Sequence, residues 1–319
     1  EFGVFFSPNK GERWKKLGNG LPTIAVRDIA IQRRENDLVL GTFGRGFYVM
    51  DDYSALRNIE NSDIKVKADI YPIRDALMWE KAMPLGLPGK AFQGDQFYSA
   101  ENLDPVAIVS YYYGNSYKSI KDNRQKKEKK QVKSEEDATY PSYDELYAEV
   151  NEEKPNLIFT IKDASGKVVK KVFKKPSKGL QRFHWNLRYE ENSPIDLSSS
   201  SFYNPFAGVS EGTLVNPGTY TIELDLYDKG AITNLVSPVS FNVKALDNTV
   251  MPAEDRAAKV AFQREVSELL GEMSASGRIL SEISNKLKYI KEAVKVVEKP
   301  IGPLSNTIRD IELRVKDIN

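Results

Sequence analysis

Residues 2–14 read FGVFFSPNKGERW, and residues 41–49 read GTFGRGFYV. In the first stretch, the side chains of Ser7 and Asn9 can accept hydrogen bonds from turn amides, and Gly11 tolerates a positive φ. Trp14 follows the turn, and we expect its ring to pack between strands. These residues predict a strand–turn–strand unit, so their role is in folding rather than in a reaction.

Three further strand-like runs follow at 26–31, 38–42 and 46–50, separated by turn-rich residues. Three strands are one short of a four-stranded propeller blade, and a propeller closes only with roughly four to eight blades. We therefore expect residues 1–55 to form the terminal blade of an incomplete β-propeller, with the other blades upstream of Glu1.

The composition excludes several classes of function. The chain has 46 basic and 45 acidic residues, a net charge of +1, and no cysteine. A balanced charge does not favour nucleic acid as a partner, and no run of about 18 apolar residues predicts a membrane span. Without cysteine there is no disulfide, thiolate nucleophile or Cys-ligated zinc.

The middle of the chain is divided by composition into a connector and a second β domain. Proline and glycine make residues 56–104 an irregular connector. Residues 105–248 hold about seven short strands, several with clean alternation, such as Phe183, Trp185 and Leu187. This pattern predicts an immunoglobulin-like or fibronectin-like β-sandwich.

A charged insertion at 115–154 interrupts the predicted sandwich. Its first half is rich in lysine, and its second half contains Ser142 and Glu145 at capping-box spacing, which predicts a short helix from Tyr143. We interpret the lysine-rich half as a solvated or partly disordered helical segment. The alternative is a patch that binds anions.

Residues 249–319 carry the most regular pattern of the chain and predict a helical hairpin. The first helix, about 254–297, has seam residues spaced alternately by four and three. They are Phe262, Val266, Leu269, Met273, Ser276, Leu280, Ile283, Leu287, Ile290, Val294 and Val297. At 1.5 Å per residue this helix spans about 65 Å and the second, from Leu304, about 24 Å, so roughly 40 Å of seam needs another partner.

No catalytic, cofactor or metal residues are predicted. The only histidine, His184, falls on the strand face opposite Trp185, and Asp51 and Asp52 read as turn and capping residues. The loop at 190–217 is the candidate for recognition because long irregular loops are often functional. Its aromatic residues Phe202, Tyr203 and Phe206 either contact a ligand or anchor the loop.

As a set, these stretches resemble the last blade and C-terminal region of bacterial BNR/Asp-box repeat proteins. The resemblance rests on the Asp-box residues Ser7, Asn9, Gly11 and Trp14, where Asn9 occupies the position of the usual Asp. It also rests on the runs Gly44-Arg45-Gly46, Asp51-Asp52 and Phe183-His184-Trp185. That family is related to the sortilin-type propeller and is commonly labelled glycosyl hydrolase. The resemblance implies an exported bacterial protein, in the periplasm or at the cell surface.

The expected function is therefore that of a non-catalytic C-terminal region, which braces the propeller and mediates protein–protein contacts. Its partners would be the remainder of its own propeller and other cell-envelope proteins or peptides. One alternative is a sialidase-like glycoside hydrolase whose active site lies in blades upstream of residue 1. Another is a sandwich that binds carbohydrate through Tyr203 and its neighbours.

Overall fold

The computed structural model describes residues 2–18, 20–59, 67–79, 104–134, 137, 140–195, 211–246, 255–298 and 302–318. The chain divides into two compact units. The first comprises Glu1–Leu187 and Pro217–Val250, and the second comprises Arg188–Asn216 and Met251–Asn319. The described residues combine many strands with C-terminal helices, as the sequence predicts at this coarse level.

The first unit begins with five strands in two separate sheets. They are β1 Val4–Phe6, β2 Lys15–Leu17, β3 Val26–Gln32, β4 Asp37–Thr42 and β5 Phe47–Met50. β1 and β2 form a two-stranded antiparallel sheet, while β3, β4 and β5 form a three-stranded antiparallel sheet in that order, which we name the outer sheet.

The region expected to be an irregular connector contributes secondary structure where it is described. A 3₁₀ helix spans Tyr53–Asn58, and two short strands follow, β6 Ala68–Ile70 and β7 Ala76–Met78. Both strands join larger sheets at their edges. Strands of three residues are too short to show an alternation, which is why the sequence did not predict them.

The remaining strands of this unit enclose a helical insertion. In chain order the elements are β8 Ala107–Tyr113, α1 Ile120–Lys133, α2 Tyr143–Val150, β9 Asn156–Asp163, β10 Val168–Lys174, β11 Gly179–Trp185, β12 Gly218–Asp228 and β13 Ala231–Ala245. One sheet has the order β10-β9-β12-β13-β7, with β7 parallel to β13, and the other has the order β11-β8-β6. β9 and β10 are consecutive and antiparallel, so they form a hairpin.

The two sheets share an aromatic core. Tyr111 of β8 and Phe159 of β9 have ring centroids 4.6 Å apart, and Phe159 lies 4.8 Å from Phe183 of β11. A second group joins Trp185 to Tyr220 at 5.4 Å. Because these contacts link strands of both sheets, the two sheets share one apolar core.

β8 is covered on its other face as well. Tyr112 and its cross-strand partner Leu180 pack against a cluster built on Ala55, Leu56 and Tyr71. This cluster also receives Met50 from β5 and Phe6 from β1, so it joins the outer sheet to β8 and β11. The 3₁₀ helix therefore holds the N-terminal strands against the core of the first unit.

The second unit contains two helices, α3 Arg256–Lys295 and α4 Gly302–Ile318. Lys291 of α3 pairs with Glu312 of α4 at 3.0 Å, and Leu287, Ile308 and Val315 are buried. The opposite end of the predicted seam remains exposed at Phe262, Leu269 and Met273. As the length comparison predicts, α4 shields only the C-terminal part of the seam.

A strand-like segment accompanies α3 within the same unit. Tyr189 N donates to Thr213 O at 2.9 Å, and Asn192 Nδ2 donates to Ser267 Oγ of α3 at 3.2 Å. A Cβ at Gly271 would lie 2.4 Å from Asn192 O, so only glycine allows this close approach. The guanidinium of Arg264 lies 4.5 Å from the centre of the Tyr189 ring, which adds a cation–π contact.

Candidate docking surface

The turn between β1 and β2 contains the hydrogen bonds expected of Ser7 and Asn9. Gly11 N donates to Ser7 Oγ at 2.7 Å, Arg13 N donates to Asn9 Oδ1 at 2.8 Å, and Ser7 Oγ donates to Asn9 Oδ1 at 3.1 Å. Gly11 has φ 99°, a conformation that favours glycine. All these bonds close the turn on itself, so the geometry serves folding.

Trp14 differs from the expectation that it packs between strands. Its side chain is 63% exposed, although it directly precedes β2. β1 and β2 pair only with each other among the described strands, so their sheet is too narrow to enclose an indole ring. The predicted recognition residues Phe202, Tyr203 and Phe206 lie outside the described residues.

The single histidine and the adjacent aspartates occupy positions that suit structural roles. His184 is exposed, whereas its neighbours Phe183 and Trp185 are buried, as the alternation predicts. Asp52 is 3% exposed, has φ 45°, and accepts from Ser54 N at 3.2 Å as the cap of the 3₁₀ helix. Among the described residues, no three His, Asp or Glu side chains are grouped to hold a metal ion.

The outer sheet carries apolar side chains on both faces. One face contains Ile29, Ile31, Leu38, Leu40, Tyr48 and Met50, which the strand register aligns across the three strands. On the other face Val39 pairs with Val49, next to Phe47. A sheet with one solvated face alternates apolar and polar residues, whereas two apolar faces are typical of a sheet that is buried on both sides.

Several of these apolar side chains are exposed. Phe47 is 79% exposed and Val49 56%, while Ile29 and Ile31 are 50% and 51% exposed on the opposite face. Only Leu40, at 2%, is fully buried within the outer sheet. Both faces therefore offer apolar surface that another protein segment could remove from water.

A groove lies between β1–β2 and the outer sheet. It has a volume of about 350 Å³, and its walls include Phe5, Phe6, Leu17, Ile29 and Leu38. The guanidinium of Arg57 lies at the same groove, 4.8 Å from the centre of the Tyr53 ring. Because its walls are mainly apolar, the groove extends the exposed apolar face rather than forming a polar site.

Two arginines fasten the outer sheet to the core of the first unit. Arg182 of β11 donates to Asp51 O and Asp52 O, both at 2.6 Å, and to Ser110 Oγ of β8 at 3.1 Å. Arg74 donates to Glu35 O at 2.7 Å and pairs with the Glu35 carboxylate at 2.9 Å. Burial lowers the pKa of Arg182, although Asp52 and Asp51 oppose this effect.

We name the contacts of Arg182 and Arg74 the arginine latch. The sequence did not predict the contacts of Arg182. Arg182 lies on the same strand face as Leu180 and His184, and a charged residue there is typical of an exposed strand face. A guanidinium with five donors is nevertheless the side chain best suited to serve two carbonyl groups and a hydroxyl at once. Its contacts become visible only when the strands are brought together.

No protein-family model matches the chain, and no curated protein matches its sequence. None of the helices in the described part of the chain has both the length and the hydropathy of a bilayer span.

Proposed function

We propose that this chain is a non-catalytic region of an exported bacterial Asp-box propeller protein, in which the outer sheet is a propeller blade. The exposed apolar side chains on both of its faces support this proposal most directly. In a propeller, each blade packs its two faces on its neighbours. The other blades of the same protein would cover Phe47 and Val49 on one side and Ile29 and Ile31 on the other.

The exposed apolar side chains of the outer sheet favour a permanent partner. Burying a large apolar side chain stabilises a protein by about 1.5–3 kcal/mol, so the four half-exposed side chains together represent a substantial driving force for docking. Scattered exposed apolar residues are ordinary, but these four are aligned on the two faces of one sheet.

The rest of the chain has the role of a brace in this proposal. The two packed sheets form an immunoglobulin-like sandwich that carries the blade through the arginine latch and the 3₁₀ helix. The helical unit supplies further contact surface, since the seam from Phe262 to Met273 is exposed. Its partners are the remainder of the propeller and proteins or peptides of the cell envelope.

Site-specific photocross-linking in the whole gene product tests the proposal. A photoreactive residue replacing Phe47 should cross-link to a strand of another blade of the same gene product, identified by mass spectrometry of the joined peptides. Ile232 of β13 is 66% exposed and serves as the matched position, where we expect no such product. Equal products from both positions, or none from Phe47, would refute the blade assignment.

The same preparation addresses the competing enzymatic function. If the whole gene product hydrolysed aryl glycosides and lost this activity when one carboxylate of another blade was replaced by its amide, the protein would be a glycoside hydrolase. The blade assignment would then stand, while the non-catalytic function would fail. The two outcomes are therefore distinguishable.

A further inference from the structure

Hydrogen bonds hold the helical insertion of the first unit at one end. α1 begins at the capping box of Ser119 and Asp122, and the Glu152 carboxylate accepts from Ile120 N at 2.9 Å and 3.0 Å. Tyr117 donates its hydroxyl to the same carboxylate at 2.5 Å, which raises the pKa of Tyr117 to about 12. The carboxylate thus ties the start of α1 to the chain just after α2.

One side of α1 is occupied by α2. Arg124 donates through Nη2 to Glu149 Oε2 of α2 at 3.0 Å, and it also pairs with Glu128 one turn along α1. Arg124 and Glu128 are half-buried as a result. These contacts determine which side of α1 faces the protein.

The opposite side of α1 presents a stripe of lysines. Lys126, Lys129, Lys130 and Lys133 are spaced by three, one and three residues, which places them on one side of a helix, and all four are exposed. The stripe is about 10 Å long at 1.5 Å per residue. Within the described residues, none of these four ammonium groups is paired with a carboxylate in a salt bridge.

The chemistry around the stripe narrows the kind of anion that would fit. α1 has no aromatic side chain for stacking on a base or sugar, and its one arginine is already bound to Glu149. Asp122 is exposed one turn before Lys126 on the same side of α1, so a flat anionic bilayer along this side would meet a carboxylate as well as the lysines. A narrow ligand can follow the four lysines without reaching Asp122.

We propose that the lysine stripe of α1 binds an acidic polypeptide segment whose carboxylates alternate with the four ammonium groups. Charge complementarity carries this assignment, so the contact is mainly electrostatic and sensitive to salt. The stripe is separate from the apolar faces of the outer sheet, so this partner is additional to the propeller blades.

Fluorescence anisotropy with a labelled twelve-residue peptide of glutamate and glycine tests the proposal. The variant Lys126→Gln/Lys129→Gln/Lys130→Gln/Lys133→Gln should bind about fourfold more weakly or worse, because it loses four exposed ion pairs. The control Lys167→Gln/Lys171→Gln/Lys175→Gln/Lys178→Gln removes four exposed charges elsewhere and should bind as the unaltered chain does. Circular dichroism verifies that both variants keep their helix content.

Three outcomes would overturn the assignment. In the first, the unaltered chain shows no binding at low salt. In the second, both variants lose affinity equally, which would mean that binding depends on the net charge of the chain rather than on the stripe. Alternatively, vesicles containing phosphatidylglycerol would bind more tightly than the peptide and depend on the same four lysines. In that case the partner of the stripe would be a lipid surface.

Discussion

At the scale of single residues, Arg182 connects more distant parts of the chain than the residues that stand out in the sequence. Ser7, Asn9 and Gly11 close one turn, and Asp52 caps one helical segment, as their residue types predict. Arg182 instead connects β8, β11 and the residues that follow the outer sheet. Its burial is tolerated because several of its donors are satisfied by protein oxygens.

Replacing Arg182 with lysine should therefore destabilise the first unit by about 1–3 kcal/mol, because an ammonium group cannot reach both carbonyl groups and Ser110 at once. Urea unfolding followed by tryptophan fluorescence measures the change. Arg45→Lys, at an exposed position, should alter the free energy of unfolding by about 0.5 kcal/mol or less. Equal midpoints for the two variants would show that the latch contributes nothing.

At the scale of elements, capping signals predicted where a helix begins, and periodicity predicted which side chains of a strand are buried. The capping box at Ser142 and Glu145 predicts a helix from Tyr143, and α2 begins there. The alternation in β11 correctly separates the buried Phe183 and Trp185 from the exposed His184. β6 and β7 were not predicted, because three residues are too few to show an alternation. Their strand conformation depends mainly on pairing with β8 and β13.

The contact between α1 and α2 should weaken in acid. Hydrogen bonds from Arg124 lower the pKa of Glu149, and bonds from Ser142 lower the pKa of Glu145. Because folding lowers these pKa values, the stabilisation is complete above the unfolded value of about 4.3 and disappears as the pH falls through the folded values. Amide exchange in α1, corrected for its intrinsic pH dependence, should accelerate below about pH 4.

A matched substitution separates this contact from general acid unfolding. Glu149→Gln should give fast amide exchange in α1 already at neutral pH and should remove most of its acid sensitivity, since the carboxylate that pairs with Arg124 is gone. Glu12→Gln, at an exposed residue of the turn between β1 and β2, should leave both properties unchanged. An unaltered pH profile in Glu149→Gln would contradict the assignment.

At the scale of the whole molecule, the first unit combines a well-packed core with a sheet whose apolar faces are open. The alternation of apolar residues predicted the core of the first unit, because the burial of these side chains follows from their positions within each strand. The assembly of the outer sheet with the 3₁₀ helix depends on contacts between distant residues, such as Arg74 with Glu35, which no local pattern encodes. The faces of the outer sheet are therefore best understood from the exposure of their side chains.

This exposure predicts that substitutions on the two faces of the outer sheet weaken association and hardly change stability. Replacing Ile29, Ile31, Phe47 and Val49 with threonine keeps strand propensity and removes apolar surface that is at least half exposed, so each change should alter the free energy of unfolding by about 1 kcal/mol or less. Leu40→Ala, at the buried position of the same sheet, should cost about 2–5 kcal/mol. Sedimentation velocity should show that the unaltered chain associates as its concentration rises, and that the fourfold threonine variant associates less. A threonine variant that unfolds as easily as Leu40→Ala, or associates as strongly as the unaltered chain, would mean that these side chains belong to the core rather than to a docking surface.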